Sequence, residues 1–369
     1  MSECRPPAPG PRVNALRRRL LAALPLAVVP PAAAAVSYPD VRPGETFRFP
    51  RDHGAHPEYR TEWWYITGWL RTRDGRDLGV QITFFRSRPD LDATGRSRFS
   101  PAQLLFAHAA LADPRAGRLR HAQVAARAGL GLAEVSSETT DVQLERWSLA
   151  LDGDTYRARI PAGDFELALA FRTDRPPVPQ GKDGYSRKGP LARQASRYYS
   201  RPHLAVSGTV RTPAGTDAVT GLAWLDHEWS SEILDERAVG WDWIGLNLDD
   251  GSALMAFRIR AADGTTLWAG GGLTRRDGTA RRFTEREVRF TPARLWTSPR
   301  TGTHYPVAMR VETPDLALDL SPLLDDQELD SRASVGTVYW EGAVMASASG
   351  RPVGRGYLEL TGYWRKLRL

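Results

Sequence analysis

Asp52-His53-Gly54-Ala55-His56-Pro57-Glu58-Tyr59-Arg60-Thr61-Glu62-Trp63-Trp64-Tyr65-Ile66-Thr67-Gly68 is the stretch whose reading decides the fold. It crowds two His, two Glu, an Asp, an Arg, two Trp and two Tyr into one run. Charged groups beside large rings are costly to bury unless they are paired. From Trp63 onward the run turns into a strand signal: aromatic and β-branched residues to Thr72, then the turn dipeptide Asp74-Gly75. A second run, Asp226-His227-Glu228-Trp229 followed by Trp241-Asp242-Trp243-Ile244-Gly245, repeats the theme. In both, an Asp-His pair precedes a tryptophan-rich strand that reaches Gly.

Working outward, strand signals dominate. Leu78 to Phe85 is rich in β-formers, and Phe165, Leu167, Leu169 and Phe171 alternate onto one face. Asp152-Gly153, Asp250-Gly251, Asp263-Gly264 and Asp277-Gly278 punctuate further short runs. Few segments have a helical period; Gln123 to Ala133 is the best candidate, and Gly129 and Gly131 weaken it. Many short strands at even spacing predict an all-β protein of sandwich or barrel type. The internal echo (Trp64 through Gly68 and Asp74-Gly75 to Phe85-Arg86; Trp241 through Gly245 and Asp250-Gly251 to Phe257-Arg258) predicts two similar β domains. Their expected extents are 46–215 and 216–369, with a ligand cleft at the junction.

The N-terminus reads as an export signal: Arg12 and Arg17-Arg18-Arg19, an apolar run from Leu20 to Val29, then Ala32-Ala33-Ala34-Ala35. That run is too short for a membrane span, and a periplasmic or secreted protein is expected. The whole chain carries a formal charge of +7. Residues 1–35 hold five Arg and Glu3, a net of +4, so the mature chain falls to +3. No polybasic run follows, so nucleic acid is not an expected partner. The single cysteine, Cys4, lies in the leader, so the mature chain relies on its apolar core rather than on disulfides.

The chain has no Gly-x-Ser-x-Gly elbow, P-loop, dinucleotide fingerprint or His-Glu-x-x-His motif. No cofactor is expected. His53, His56 and Glu58 could ligate a metal, but their spacing suits a turn and no metal is expected; the alternative is that Asp52 and His53 tie down a loop at a barrel mouth. In an extended strand Asp226 and Glu228 point to one side, His227 and Trp229 to the other; Trp241 and Trp243 share a face opposite Asp242. A tryptophan-lined pocket holding a carboxylic acid and a His suits chemistry through a cationic intermediate. Burial raises a carboxyl pKa and equips it to donate a proton. Indole faces stabilise a nearby cation by about 2 kcal/mol or more when desolvated. The equally open structural alternative makes the tryptophans barrel core and Asp226 and Asp242 members of ion pairs.

Phe49 through Pro57, Thr61 to Tyr65, Tyr198-Tyr199-Ser200, Gly221 through Trp229 and Gly240 to Trp243 together resemble the AttH/CrtC-like family, which includes carotenoid 1,2-hydratases and proteins labelled predicted secreted hydrolases. The resemblance implies two lipocalin-like β-barrels with a pocket near their junction. It implies that His227 and Trp229, with Trp241, Asp242 or Trp243 on a nearby strand, take part in adding water to a double bond. In this chain Asp242 stands between two tryptophans, so the family's aromatic-x-Asp order is not reproduced.

These readings converge on an exported, hydratase-like enzyme acting on an apolar isoprenoid- or lipid-like alkene. Asp242 or Asp226 would donate the proton and His227 would orient water. Trp229, Trp241 and Trp243 would line the substrate site, joined by Trp63, Trp64, Tyr199, His53 and Glu62. The alternatives are a non-catalytic carrier of a hydrophobic ligand and a secreted hydrolase.

Overall fold

The computed structural model describes residue 1, residues 37–90 and residues 102–367. The leader read from residues 1–35 lies, apart from Met1, outside the described residues. No helix among the described residues is long and apolar enough to cross a membrane.

Among the described residues the protein is all-β, with helical turns confined to single 3-10 segments such as Arg51–His53 and Pro114–Ala116. The strands form two antiparallel sheets, lipocalin-like in character, of which one is a nearly closed barrel. At the centre of the first sheet lie Asp77–Ser87, Thr61–Thr72, Gly215–Glu232 and Ala195–Thr212, side by side. At the centre of the second lie Ala253–Ala261, Ala238–Leu248, Arg351–Leu360 and Val338–Ala348. The two tryptophan-rich strands thus hold equivalent places: each pairs with the next strand in sequence on one side and with a late-returning strand on the other.

Two sequence expectations are corrected. The expected boundary at residues 215/216 falls inside the first sheet, because Ala195–Thr212 and Gly215–Glu232 form one continuous hairpin. The chain leaves that sheet only between Glu232 and Ala238. The helical candidate Gln123 to Ala133 is instead the strand Arg120–Arg127 followed by a turn. Pairing with Leu104–Ala112 satisfies its backbone, and Gly129, Leu130 and Gly131 all take positive φ, which ends any regular element.

Each sheet encloses its own apolar core. Trp64, Ile66, Leu225 and Trp229 belong to the first, and Ile244, Leu246, Trp340 and Leu358 to the second. A third cluster joins the sheets, with Tyr65, Trp224, Trp243, Phe257 and Tyr357 among its members. The faces that would meet water in an isolated barrel are therefore buried against each other.

Candidate active site

Strand alternation sorts the chemistry into separate compartments. On Gly215–Glu232, Asp226 and Glu228 face the second sheet and line a cavity of about 390 Å³. His227 and Trp229 face the interior of the first barrel. On Thr61–Thr72, Trp63 and Tyr65 line the same cavity, whereas the Glu62 side chain turns to the barrel interior alongside Trp64. Trp241 and Trp243 close the cavity from the second sheet.

Within the cavity Asp226 accepts hydrogen bonds from Tyr198 Oη at 2.6 Å, Ser200 Oγ at 2.5 Å and Trp224 Nε1 at 2.7 Å. Burial pushes its carboxyl up to about 7 against the pull of those three donors. Trp243 Nε1 donates to Tyr198 Oη at 3.1 Å, so an indole of the second sheet braces the acid of the first. That ring lies over Gly245, where a Cβ would meet the Trp243 ring at 2.5 Å. Glycine is required there by close approach. Lys188 Nζ pairs with Glu228 at 2.9 Å and sits 4.2 Å from the Phe257 ring centroid. Two further acids, Glu341 and Glu359, enter the wall from the second sheet.

The barrel interior holds a different network. Glu62, fully buried, receives Arg86 Nε at 2.8 Å and the His56 backbone N–H at 2.8 Å on Oε2. Its Oε1 lies 2.8 Å from His56 Nδ1 and 2.9 Å from His227 Nε2. Burial opposes ionisation of Glu62, yet the two imidazoles and the Arg86 guanidinium hold its carboxyl well below the usual range. Burial pulls His227 down, only partly offset by Glu62, and pulls His53 down to about 3. His227 is then a neutral imidazole that donates from Nε2 to Glu62 and accepts at Nδ1 from Tyr199 Oη, 3.1 Å away. His53 Nδ1 in turn lies 2.8 Å from Tyr199 Oη. For His56, burial works against protonation, but Asp52 and Glu62 outweigh it and raise the net pKa. Trp229 stacks on His56 at 3.5 Å between centroids.

The His and Glu side chains that converge are His56, Glu62 and His227, whose ligand atoms lie within 4.8 Å of one another. They are not the set His53, His56 and Glu58 considered from spacing. In this arrangement the three are hydrogen-bonded to each other, and Arg86 holds the Glu62 carboxylate. His53 anchors a loop in the structural sense: its carbonyl accepts from Thr140 Oγ1 and Trp64 Nε1.

Asp242 is corrected. It faces neither the cavity nor the first barrel but is fully buried on the inner side of the second sheet. Arg258 Nε reaches it at 2.6 Å, Arg260 Nε at 2.9 Å and Tyr363 Oη at 3.0 Å. Two guanidiniums and a phenol hold it as a structural group of the second barrel, away from the cavity where an alkene would sit. The tryptophan pocket containing both His227 and an acid is likewise divided. Asp226, Trp63, Trp241 and Trp243 share the cavity. His227, Trp229, Trp64, Tyr199 and His53 lie in the barrel. Sequence reasoning missed Lys188, Glu341 and Glu359 as cavity residues; the one hint was Glu341, the single ionisable group in the otherwise largely apolar Val338–Ala348.

Two facing lipocalin-like sheets with an acid- and indole-lined cavity between them define the class of protein. The chain belongs to the AttH-like family, whose pattern matches residues 40–363. It is similar to a crystal structure from Nitrosomonas europaea assigned provisionally as AttH: 52% identity, TM-score 0.82, 88% of this chain and 99% of that one. It is also similar in fold to kievitone hydratase from Nectria haematococca, at 13% identity and TM-score 0.67 over 89% of this chain and 97% of that one. A structure of CghA aligns at 14% identity and TM-score 0.50, over 82% and 88% of the two chains. At such identities the last two likenesses are of fold. No curated protein sequence matches the chain.

Proposed function

We propose that the protein is an exported enzyme of hydratase type that adds water to, or isomerises or cyclises, an apolar isoprenoid- or lipid-like alkene in the cavity between the sheets. The observation that carries this reading is Asp226: a buried carboxyl with its pKa pushed to about 7, in a cavity walled by Trp63, Trp241 and Trp243. A carboxyl near neutrality can exchange a proton with substrate or water at the pH of the cell envelope. The indole faces stabilise the cation that protonation of an alkene creates. Export rests on the leader-like segment, and the fold shared with kievitone hydratase is compatible with the chemistry.

A carrier would need only an apolar cavity whose polar groups satisfy one another. A carboxyl held near neutrality among indoles, as Asp226 is, is more than such a cavity requires. A hydrolase would find a Ser-His contact at the cavity, Ser334 Oγ at 2.8 Å from His108 Nε2. Burial, with a small push from His121, takes His108 down to about 3, which makes it a poor base.

The test is native mass spectrometry of the mature protein taken from its own periplasm, with extraction of whatever co-purifies. Wild type and Asp226→Asn are then incubated in heavy-oxygen water with a pool of isoprenoid and unsaturated fatty alkenes. An alcohol carrying the heavy oxygen, formed by wild type and lost in the variant, supports the reading. A co-purified ligand recovered unchanged, with no alkene converted, rejects it in favour of a carrier.

A further inference from the structure

Val338–Ala348 and Arg351–Leu360 are antiparallel neighbours, and their register sets Glu341 directly opposite Glu359. Opposed residues on one face of such a pair have Cβ atoms roughly 5 Å apart. Trp340, Leu358 and Leu360, the alternate residues, fill the core of the second barrel. Both glutamates therefore turn to the cavity and line it.

Their surroundings differ. Trp241 Nε1 donates to Glu359 Oε2 at 3.0 Å, and a donor favours the ionised form. Glu341 Oε1 has no partner, and Tyr65 Oη, from the facing sheet, approaches without reaching hydrogen-bond geometry. The charges acting on Glu359 from around it are acids: Asp226 and Glu228 across the cavity and Asp242 on the adjoining strand. Glu341 feels Glu359, and it faces the phenols of Tyr65, Tyr339 and Tyr357. Lys188, the nearby cation, is spent on Glu228.

Two buried carboxyls in register cannot both ionise, so the pair holds one proton between them. Burial, reinforced by its partner, lifts Glu341 well above the usual carboxylate range, and burial lifts Glu359 to about 7 despite the indole donor. Asp226 on the opposite wall is built the other way, with three donors that suit it to be an acceptor.

We propose that Glu341 is the general acid of the cavity, with Glu359 its ionised partner, and that Asp226 on the facing wall is the base that takes the proton from water. The assignment rests on the proposed alkene chemistry. In the forward step the π electrons of the alkene form a C–H bond with the Glu341 proton, and the O–H electron pair stays on Glu341. The neighbouring carbon becomes cationic beside the indoles. Water adds its oxygen lone pair to that carbon and loses its proton to Asp226. Proton exchange through solvent restores Glu341–H and the Asp226 carboxylate, so alkene and water give one alcohol.

The pair can be tested without substrate. Full-length mature protein labelled with carbon-13 at the glutamate carboxyls is titrated by infrared spectroscopy. The expected result is one glutamic acid that stays protonated above the range in which Glu359 titrates, about pH 7, in wild type and is lost from that higher range in Glu341→Gln. In Glu359→Gln the same acid should titrate at lower pH, because its like-charged neighbour is gone. A wild type with no protonated glutamate above the range in which Glu359 titrates, or a band that persists above that range in Glu341→Gln, overturns the pair. With the alkene pool, Glu341→Gln should lose about 100-fold or more in turnover. Turnover by wild type that survives in Glu341→Gln overturns the donor while leaving the alkene reading intact. Failure of wild type to convert any alkene overturns the reading and the donor together, and the infrared titration still decides whether the pair exists.

Discussion

Asp226 and His227 are adjacent in the chain and serve opposite sides of the same sheet. Asp226 accepts from Tyr198 Oη in the cavity between the sheets, while His227 Nε2 lies 2.9 Å from Glu62 Oε1 inside the first barrel. The strand between them is a partition, and substitutions on its two faces should have separable effects.

On the cavity face, Asp226→Asn should abolish turnover while leaving the fold intact. It should also change the pH dependence of stability. A carboxyl whose folded pKa is raised, here to about 7, contributes stability that is full below its unfolded pKa and is lost as pH rises through the folded value. Wild type should therefore lose a few kcal/mol relative to Asp226→Asn between about pH 4 and pH 7. Thermal denaturation of both proteins across that window checks it; parallel curves would reject the raised pKa.

On the barrel face the sign reverses. The Glu62 carboxyl is depressed, so it contributes stability above its unfolded pKa that is lost as pH falls through the folded one. Glu62→Gln should destabilise by about 3–5 kcal/mol at neutral pH, because Arg86 is left buried without its carboxylate. The difference from wild type should shrink toward low pH, as measured by denaturant titration at several pH values.

Asp242→Asn should behave as a stability variant. It leaves Arg258 and Arg260 facing a neutral amide in the second barrel, at a cost of about 3–5 kcal/mol. Carbon-13 infrared bands of the cavity acids should be unmoved in whatever fraction stays folded. A fully stable Asp242→Asn protein would contradict this placement.

Lys188 and Glu228 form a buried pair with side-chain exposures of 7% each. Either Lys188→Met or Glu228→Gln alone should cost several kcal/mol by stranding the partner charge, whereas the double variant should recover much of the loss. A double-mutant cycle by denaturant unfolding measures the coupling, and additive single effects would refute it.

Much of the fold was legible because strands have period two. Trp63 with Tyr65, Asp226 with Glu228, and Trp241 with Trp243 each lie on the side that alternation assigns, and the echo of Trp64 at Trp241 corresponds to equivalent central strands. The boundary was misread because a long hairpin carries no local mark of which sheet it joins. The helical reading of Gln123 to Ala133 failed because sheet pairing with Leu104–Ala112 overrode a weak local pattern.

The sequence by itself determined that the chain is all-β, that it belongs with the AttH-like proteins, and which residues share a face. It could not say what each face meets. In an isolated second barrel Glu341 and Glu359 would face outward, where water would solvate them. Only the packing of one sheet against the other removes that water and makes them a buried pair. Alternation along one strand parts Asp226 from His227, and pairing within the second sheet sets Asp242 against Arg258 and Arg260; sidedness is local, whereas burial is set by whatever the fold brings to the other side.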